Sequence, residues 1–148
     1  MNVLQQKIKD DLKEAMKAKQ EMRTGALRML IASLLNGEKE KLAELEEEEV
    51  QNIVASEVKK RRESAETYEK AGRPDLAIKE KEELNVFLAY LPEQLSEDAV
   101  RNLVKETVQS TGASSIQDMG KVMASLMPKV KGRTDGALVG RIVKESLS

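Results

Sequence analysis

Apolar residues recur every three or four positions along most of this 148-residue chain, and this spacing restricts the fold more than any other feature. A period of this kind places apolar side chains along one face of an α-helix. No stretch alternates apolar and polar residues for long enough to predict a β-strand. Aromatic residues make up only 2% of the chain, so the core must be built from aliphatic side chains and methionine, which favours helices packed on helices. We predict an all-α, multihelical fold.

Turn and capping residues divide the first part of the chain. Asn36–Gly37 is a turn-type pair, at which a second helix ends or through which it continues into the helix-prone residues that follow. Glu46–Glu49 suits the first turn of a long third helix, since acidic side chains stabilise the positive end of a helix. This helix stops near Gly72, and a fourth one precedes Pro92. The apolar residues of the fourth helix are Leu76, Ile78, Leu84, Phe87, Leu88 and Leu91. Residues 1–92 are the predicted N-terminal helical subdomain, dominated by long helices.

The short segment Leu91–Ser96 is the predicted junction with a small C-terminal unit, residues 93–148, that contains three helices. Ser96 is expected to cap the fifth helix. Ser115 and Asp118 have the spacing of a capping box for the sixth.

Proline and glycine interrupt the periodicity after the sixth helix. Its apolar stripe consists of Met119, Val122, Met123, Leu126 and Met127. Pro128 is expected to end this helix, because proline has no backbone N–H and disfavours a helical residue before it. Residues 129–133 are then expected to form a non-helical connection. Thr134 or Asp135 caps the seventh helix.

This connection is the leading candidate for a binding site. Between Met119 and Lys144 the chain has six basic residues and one acidic residue, Asp135, a net charge of +5. A basic loop that leads into a helix N-terminus suits an anion such as a phosphate. Asp135 opposes this interpretation, and a solvated loop that maintains solubility is the alternative. The residues expected to bind RNA are Lys121, Lys129, Lys131, Gly132, Arg133 and Arg141.

A second basic run, Lys59–Arg62, is less suited to binding, because consecutive side chains point in different directions around a helix. Arg61 is the exception. It falls on the apolar seam of the third helix between Val58 and Ala65, so we expect it to pair with an acidic residue of a neighbouring helix or to extend into solvent.

The chain contains neither cysteine nor histidine. Disulfides, the usual zinc sites and imidazole-dependent catalysis are therefore excluded. No catalytic residue, metal or cofactor is expected. No apolar run approaches the ~20 residues that span a bilayer, so we expect no membrane association and a cytoplasmic location.

Three stretches also carry a resemblance: DMGKVMASLMPKVKGRTDGALV (118–139), residues 56–96, and residues 1–35 with AMKAKQEMRTGALRMLIASL. Together they resemble the YqeY family, whose domain recurs as the C-terminal tail of the B subunit of the tRNA-dependent Asp/Glu amidotransferase. The resemblance implies an all-helical fold and an association with tRNA. Thr134 and Ala137 depart from the family pattern in the loop and cap.

Three functions are consistent with this sequence. The leading one is a non-catalytic accessory protein that binds tRNA or another structured RNA through the basic loop. The alternative is a helical module that docks on a protein partner, either an enzyme or a ribonucleoprotein. The least favoured is a carbon–nitrogen ligase with glutamine as amido donor, an activity that only the family label implies, since no nucleophile is paired with a base.

Overall fold

The computed structural model describes all residues from Met1 to Ser148, and it confirms the all-α, multihelical fold. There are seven α-helices and no β-strand. The helices are α1 (Val3–Lys17), α2 (Glu21–Lys41), α3 (Glu47–Lys70), α4 (Pro74–Leu88), α5 (Glu97–Thr111), α6 (Met119–Val130) and α7 (Gly136–Leu147). A 3₁₀ turn, Ile116–Asp118, precedes α6. No helix is sufficiently long and apolar to cross a membrane.

The contacts between residues divide the chain into two compact units, Met1–Leu91 with α1 to α4 and Pro92–Ser148 with α5 to α7. Each unit has its own core of buried aliphatic side chains. The core of the first unit includes a single phenylalanine, Phe87, which is fully buried. The other fully buried large apolar side chains there are Ile8, Leu27, Leu30, Leu34, Val50 and Val54.

Helix α2 does not end at Asn36–Gly37. It continues to Lys41 and is capped by Leu42, which has a left-handed backbone conformation with φ 61°. A Cβ atom on Gly37 would lie 2.7 Å from Cδ1 of Ile53 in α3. The glycine thus allows α2 and α3 to pack closely and does not form a turn. Local sequence signals do not distinguish these two roles of a glycine.

The N-terminus of α3 has the predicted acidic first turn. Glu46 and Glu49 form a capping box, in which the Glu49 carboxylate accepts a hydrogen bond from the Glu46 backbone N–H at 2.9 Å. The pKa of the Glu49 carboxyl is lowered by its hydrogen bond to Lys41, and then by this backbone bond.

Arg61 pairs with acidic residues of two helices, which confirms the first of its two expected roles. Its Nη1 lies 3.0 Å from Glu57 of α3 and its Nε lies 3.1 Å from Glu83 of α4. The guanidinium also lies over the Phe87 ring, 5.5 Å from its centroid. Ser33 of α2 donates a hydrogen bond of 2.9 Å to the other oxygen of Glu57. Both carboxylates are buried. Lys60 also lies 3.4 Å from Glu57, and Glu80 lies 3.7 Å from Arg61 Nε, so Arg61 is the centre of a charged cluster at the contact between α3 and α4.

A second polar contact links the ends of the unit's sequence. Tyr90 is buried, and its hydroxyl donates a hydrogen bond of 2.6 Å to the Asp11 carboxylate of α1. Burial raises the pKa of the Tyr90 phenol well above its usual value, and the neighbouring Asp11 charge raises it further.

Several of the predicted caps of the second unit are present. Ser96 Oγ accepts a hydrogen bond of 3.1 Å from the Ala99 backbone N–H, and Asp135 caps α7 through the Ala137 N–H at 3.1 Å. Ser115 and Asp118 form the expected capping box, although it caps the 3₁₀ turn before α6. The buried core consists of Val100, Val104, Val122, Leu126, Val130, Val139, Ile142, Val143 and Leu147.

The prediction that Pro128 ends the sixth helix is wrong. Helix α6 continues for two residues beyond it, to Val130, whose side chain is only 1% exposed. Burial of that valine and the hydrogen bond from the Lys131 N–H to the Met127 carbonyl, at 2.9 Å, continue the last turn. Together they offset the one hydrogen bond that Pro128 cannot make.

Several apolar residues of the predicted helical stripes are exposed: Met16, Met22, Leu35, Ile78 and Met127. Met127 lies about 100° around the helix from Leu126, which occupies the core, and Met127 is 37% exposed. Ile78 of α4 is 56% exposed, because a separation of two residues places it on the opposite side of the helix from Leu76.

We expect Arg61→Met to destabilise the protein by about 3 kcal/mol, because the buried Glu83 would lose its counter-charge and the buried Glu57 would keep only Lys60, at 3.4 Å. Urea unfolding followed by circular dichroism measures this. Arg62→Met is the matched control, since the adjacent arginine has no such buried partners. Equal losses in the two variants would contradict the role assigned to Arg61.

The raised pKa of Tyr90 predicts a loss of stability at high pH. Below about pH 10 the phenol is neutral in both states. Above it the unfolded chain ionises first, so stability falls as the pH rises towards the folded-state pKa. Tyr90→Phe is expected to lose less stability between about pH 8 and pH 11 in urea unfolding. An identical pH dependence in wild type and variant would refute this coupling.

Candidate functional site

The connection between α6 and α7 is held by the chain segment that precedes α5. The Leu95 backbone N–H donates to the Arg133 carbonyl at 2.7 Å. The Gln94 side chain donates to the Gly132 carbonyl at 2.8 Å. Gly132 has φ 73°, a left-handed conformation that glycine adopts without strain. The loop is therefore a fixed turn with a defined conformation.

Arg133 contributes to this turn through its side chain. Its Nε donates to the Glu93 carbonyl at 3.2 Å, and its Nη1 donates to the Lys129 carbonyl at 3.3 Å. The second bond satisfies a carbonyl in the last turn of α6, which the helix itself leaves unpaired. Two of the guanidinium nitrogens of Arg133 thus stabilise the conformation of the loop.

The lysines of the candidate site have exposed side chains. Lys129 is in the last turn of α6 and Lys131 is its C-cap residue. Lys121 is in the first turn of the same helix, about 12 Å along the axis from Lys129. A lysine at a helix C-terminus also stabilises the dipole, so Lys129 has a structural effect in addition to any binding role.

Arg141 is placed differently from the other five predicted residues. Its Nη2 lies 3.0 Å from Glu97 at the start of α5, and its Nε lies 3.9 Å from Glu145. Arg101 pairs with the same two carboxylates at 3.3 Å and 3.2 Å. These side chains are about half exposed, and such surface pairs contribute little to stability. The charges of the two arginines are nevertheless neutralised by Glu97 and Glu145.

Asp135 occupies the N-terminus of α7. Its carboxylate accepts the Ala137 backbone N–H and compensates the positive end of the helix. An anion would meet this carboxylate at the helix N-terminus. The cationic part of the site is therefore the C-terminal end of α6 and the turn that follows it.

A second carboxylate lies near Lys121. Asp118 accepts hydrogen bonds from the backbone N–H groups of Ser114 and Ser115, and these bonds hold the pKa of Asp118 below its ordinary value. Lys121 makes a smaller contribution in the same direction.

Gln94 and Glu93 were missed in the sequence. They were assigned only to a junction, yet they bond to the loop 38 to 40 residues later in the chain. No periodicity or local spacing marks a contact at that separation.

Nowhere in the structure do three or more acidic residues meet in an arrangement suited to a metal ion.

We expect Arg133→Gln to loosen the turn, because it removes two hydrogen bonds from a charged donor, each worth roughly 1 kcal/mol in an exposed setting. Amide hydrogen exchange at Leu95 is expected to accelerate by about tenfold. Lys129→Gln is the control and should leave that amide unchanged. Equal exchange rates at Leu95 in the wild type and Arg133→Gln would show that the guanidinium does not hold the loop.

The chain is similar to known proteins over almost its whole length. The sequence profile of a family described as "Yqey-like protein" matches residues 5–147. The chain is also similar to "Altered inheritance of mitochondria protein 41, mitochondrial" from Pyrenophora tritici-repentis. The two are 26% identical over 147 residues, which cover 97% of this chain and 81% of that protein. The name of this relative describes it as a mitochondrial protein. The cytoplasmic location expected above for the present chain therefore stays a prediction. Because the family match extends over nearly all seven helices, the chain belongs to the YqeY-like family.

Proposed function

We propose that this protein is a non-catalytic accessory protein that binds tRNA or another structured RNA through the phosphate backbone. The observation that carries the proposal is the concentration of exposed lysines on α6 and its following turn. The segment Met119–Lys144 has a formal net charge of +5, to which Arg141 adds little because it pairs with Glu97 and Glu145. The one acidic residue of that segment, Asp135, is engaged as the cap of α7. A polyanion would find its most favourable potential on this surface.

The proposed contacts are with phosphates rather than with unpaired bases. Proteins that read single strands stack bases on exposed aromatic rings. Here Phe87 and Tyr90 are buried, and Tyr68 is half-buried on α3. Lysines suit phosphate contacts because each acts as a mobile point charge. Folded RNA recognised by its backbone is thus the partner that this surface favours.

Membership of the YqeY-like family supports the accessory role, since it indicates a helical accessory domain. The association with tRNA comes from the resemblance to the amidotransferase tail. A ligase activity is not favoured, because the two hydroxyl–carboxylate pairs, Ser33 with Glu57 and Tyr90 with Asp11, are part of the packing between helices of the first unit and do not line the candidate site.

The proposal is tested by titrating tRNA with the wild type and with the triple variant Lys121→Gln, Lys129→Gln, Lys131→Gln. If three phosphates are neutralised, wild-type affinity should fall by about 40-fold between 50 and 200 mM salt. In the variant this salt dependence should be almost lost and low-salt affinity should drop at least tenfold. Arg133 is kept, because its replacement would disturb the turn.

The matched control replaces Lys13, Lys39 and Lys79, three exposed lysines of the first unit, by glutamine. Both triple variants remove three positive charges. A loss of tRNA affinity that occurs only in the first variant therefore reports on a local site and not on the net charge of the protein. The proposal fails if the two triple variants bind tRNA alike, or if wild-type binding is absent at low salt.

A further inference from the structure

Two of the most exposed apolar side chains of the protein lie at one end of the first unit. Leu42, between α2 and α3, is 90% exposed, and Val3, the first residue of α1, is 84% exposed. Met1 beside it is 53% exposed. We refer to Met1, Val3 and Leu42 as the apolar tip. Isolated exposed apolar residues are common on proteins, whereas a group of them indicates a contact surface.

Hydrogen bonds hold the two parts of the apolar tip together. The amino group of Met1 lies 3.1 Å from the Glu44 carboxylate. Asn2 donates from Nδ2 to the Leu45 carbonyl at 2.9 Å, while its Oδ1 caps α1 by accepting the Gln5 N–H at 2.8 Å. The start of the chain is therefore fixed beside the loop that follows α2.

Leu42 is unusual for its position. It ends α2 with φ 61°, a left-handed conformation that glycine or asparagine adopts more readily than a branched apolar residue. Folding thus places a leucine where its backbone is disfavoured and its side chain gains nothing from the core. A contact with a partner would account for both.

The residues on either side of Leu42 in the chain form what we call the acidic rim. The segment Glu38–Glu49 contains seven glutamates and two lysines, a formal charge of -5. Lys41 is paired with Glu49 and bonds the Glu44 carbonyl, while Glu40 and Glu47 are exposed. Such a rim repels anionic membranes and nucleic acids and attracts basic peptides.

We propose that the apolar tip is a docking surface for a basic amphipathic segment of a partner protein. Apolar side chains of that segment cover Leu42 and Val3, and its lysines or arginines face the glutamates of the rim. This goes beyond RNA binding, since it uses the first unit and the opposite sign of charge.

The test uses a fluorescently labelled amphipathic peptide of leucine and lysine as probe. Its anisotropy is measured with the wild type, Leu42→Asn and Val3→Ser. Asparagine tolerates the left-handed conformation, so Leu42→Asn should fold at least as stably as the wild type, which urea unfolding verifies. Loss of the leucine side chain, which the bound peptide would cover, should weaken binding at least about tenfold. Glu40→Gln with Glu47→Gln should weaken it several-fold and reduce its salt dependence.

Ile78→Gln is the matched control, because Ile78 is an exposed apolar residue on α4 away from the tip segments. It should bind the peptide like the wild type. The proposal is overturned if Leu42→Asn binds unchanged or if Ile78→Gln loses as much affinity.

Two further results would assign the tip to another partner and also overturn the proposal. One is binding to phosphatidylserine vesicles that Leu42→Asn abolishes. The other is self-association in sedimentation that the same variant abolishes.

Discussion

Arg61 lies between two buried carboxylates where α3 meets α4, and this charged cluster constrains how the helices of the larger unit pack. Removing charges from water is costly, and the attraction between them recovers that cost only with close geometry and further hydrogen bonds. Ser33 supplies one such bond to Glu57. A shift of α3 along α4 would separate Arg61 from Glu83. The charged cluster therefore fixes the register of two helices whose aliphatic faces alone would tolerate sliding.

The two units use arginine and lysine for different purposes. Arg61 and Arg133 both direct a planar fork of donors at fixed acceptors, carboxylates in one unit and backbone carbonyls in the other. Lys121 and Lys129 extend into solvent. In the proposed function the arginine shapes the turn and the lysines meet the phosphates, so a substitution of Arg133 reports on structure before it reports on binding.

The pattern of the sequence was sufficient for most of the helices and caps. Ser96 and Asp135 cap the helices as their local chemistry predicts, because capping depends on residues only a few positions apart. The question left open at Gly37 and the error at Pro128 have one cause: tertiary contacts decide whether a glycine or a proline ends a helix. Gly37 permits close approach to Ile53, and burial of Val130 extends α6 past its proline.

The basic residues of the candidate site could be recognised in the sequence from the excess of basic over acidic residues. The bonds from Arg133 to Glu93 and from Gln94 to Gly132 could not, because they join residues distant in the chain.

The central claim is that the cationic end of α6 and its turn are where RNA binds, and a ¹⁵N-resolved NMR titration of the full chain with tRNA tests it most directly. The account predicts shift changes or broadening at Lys121 and from Lys129 to Arg133, with the amides of Lys59–Arg62 little affected. Changes centred on Lys59–Arg62, or none at residues 129–133 while tRNA binds, would contradict it.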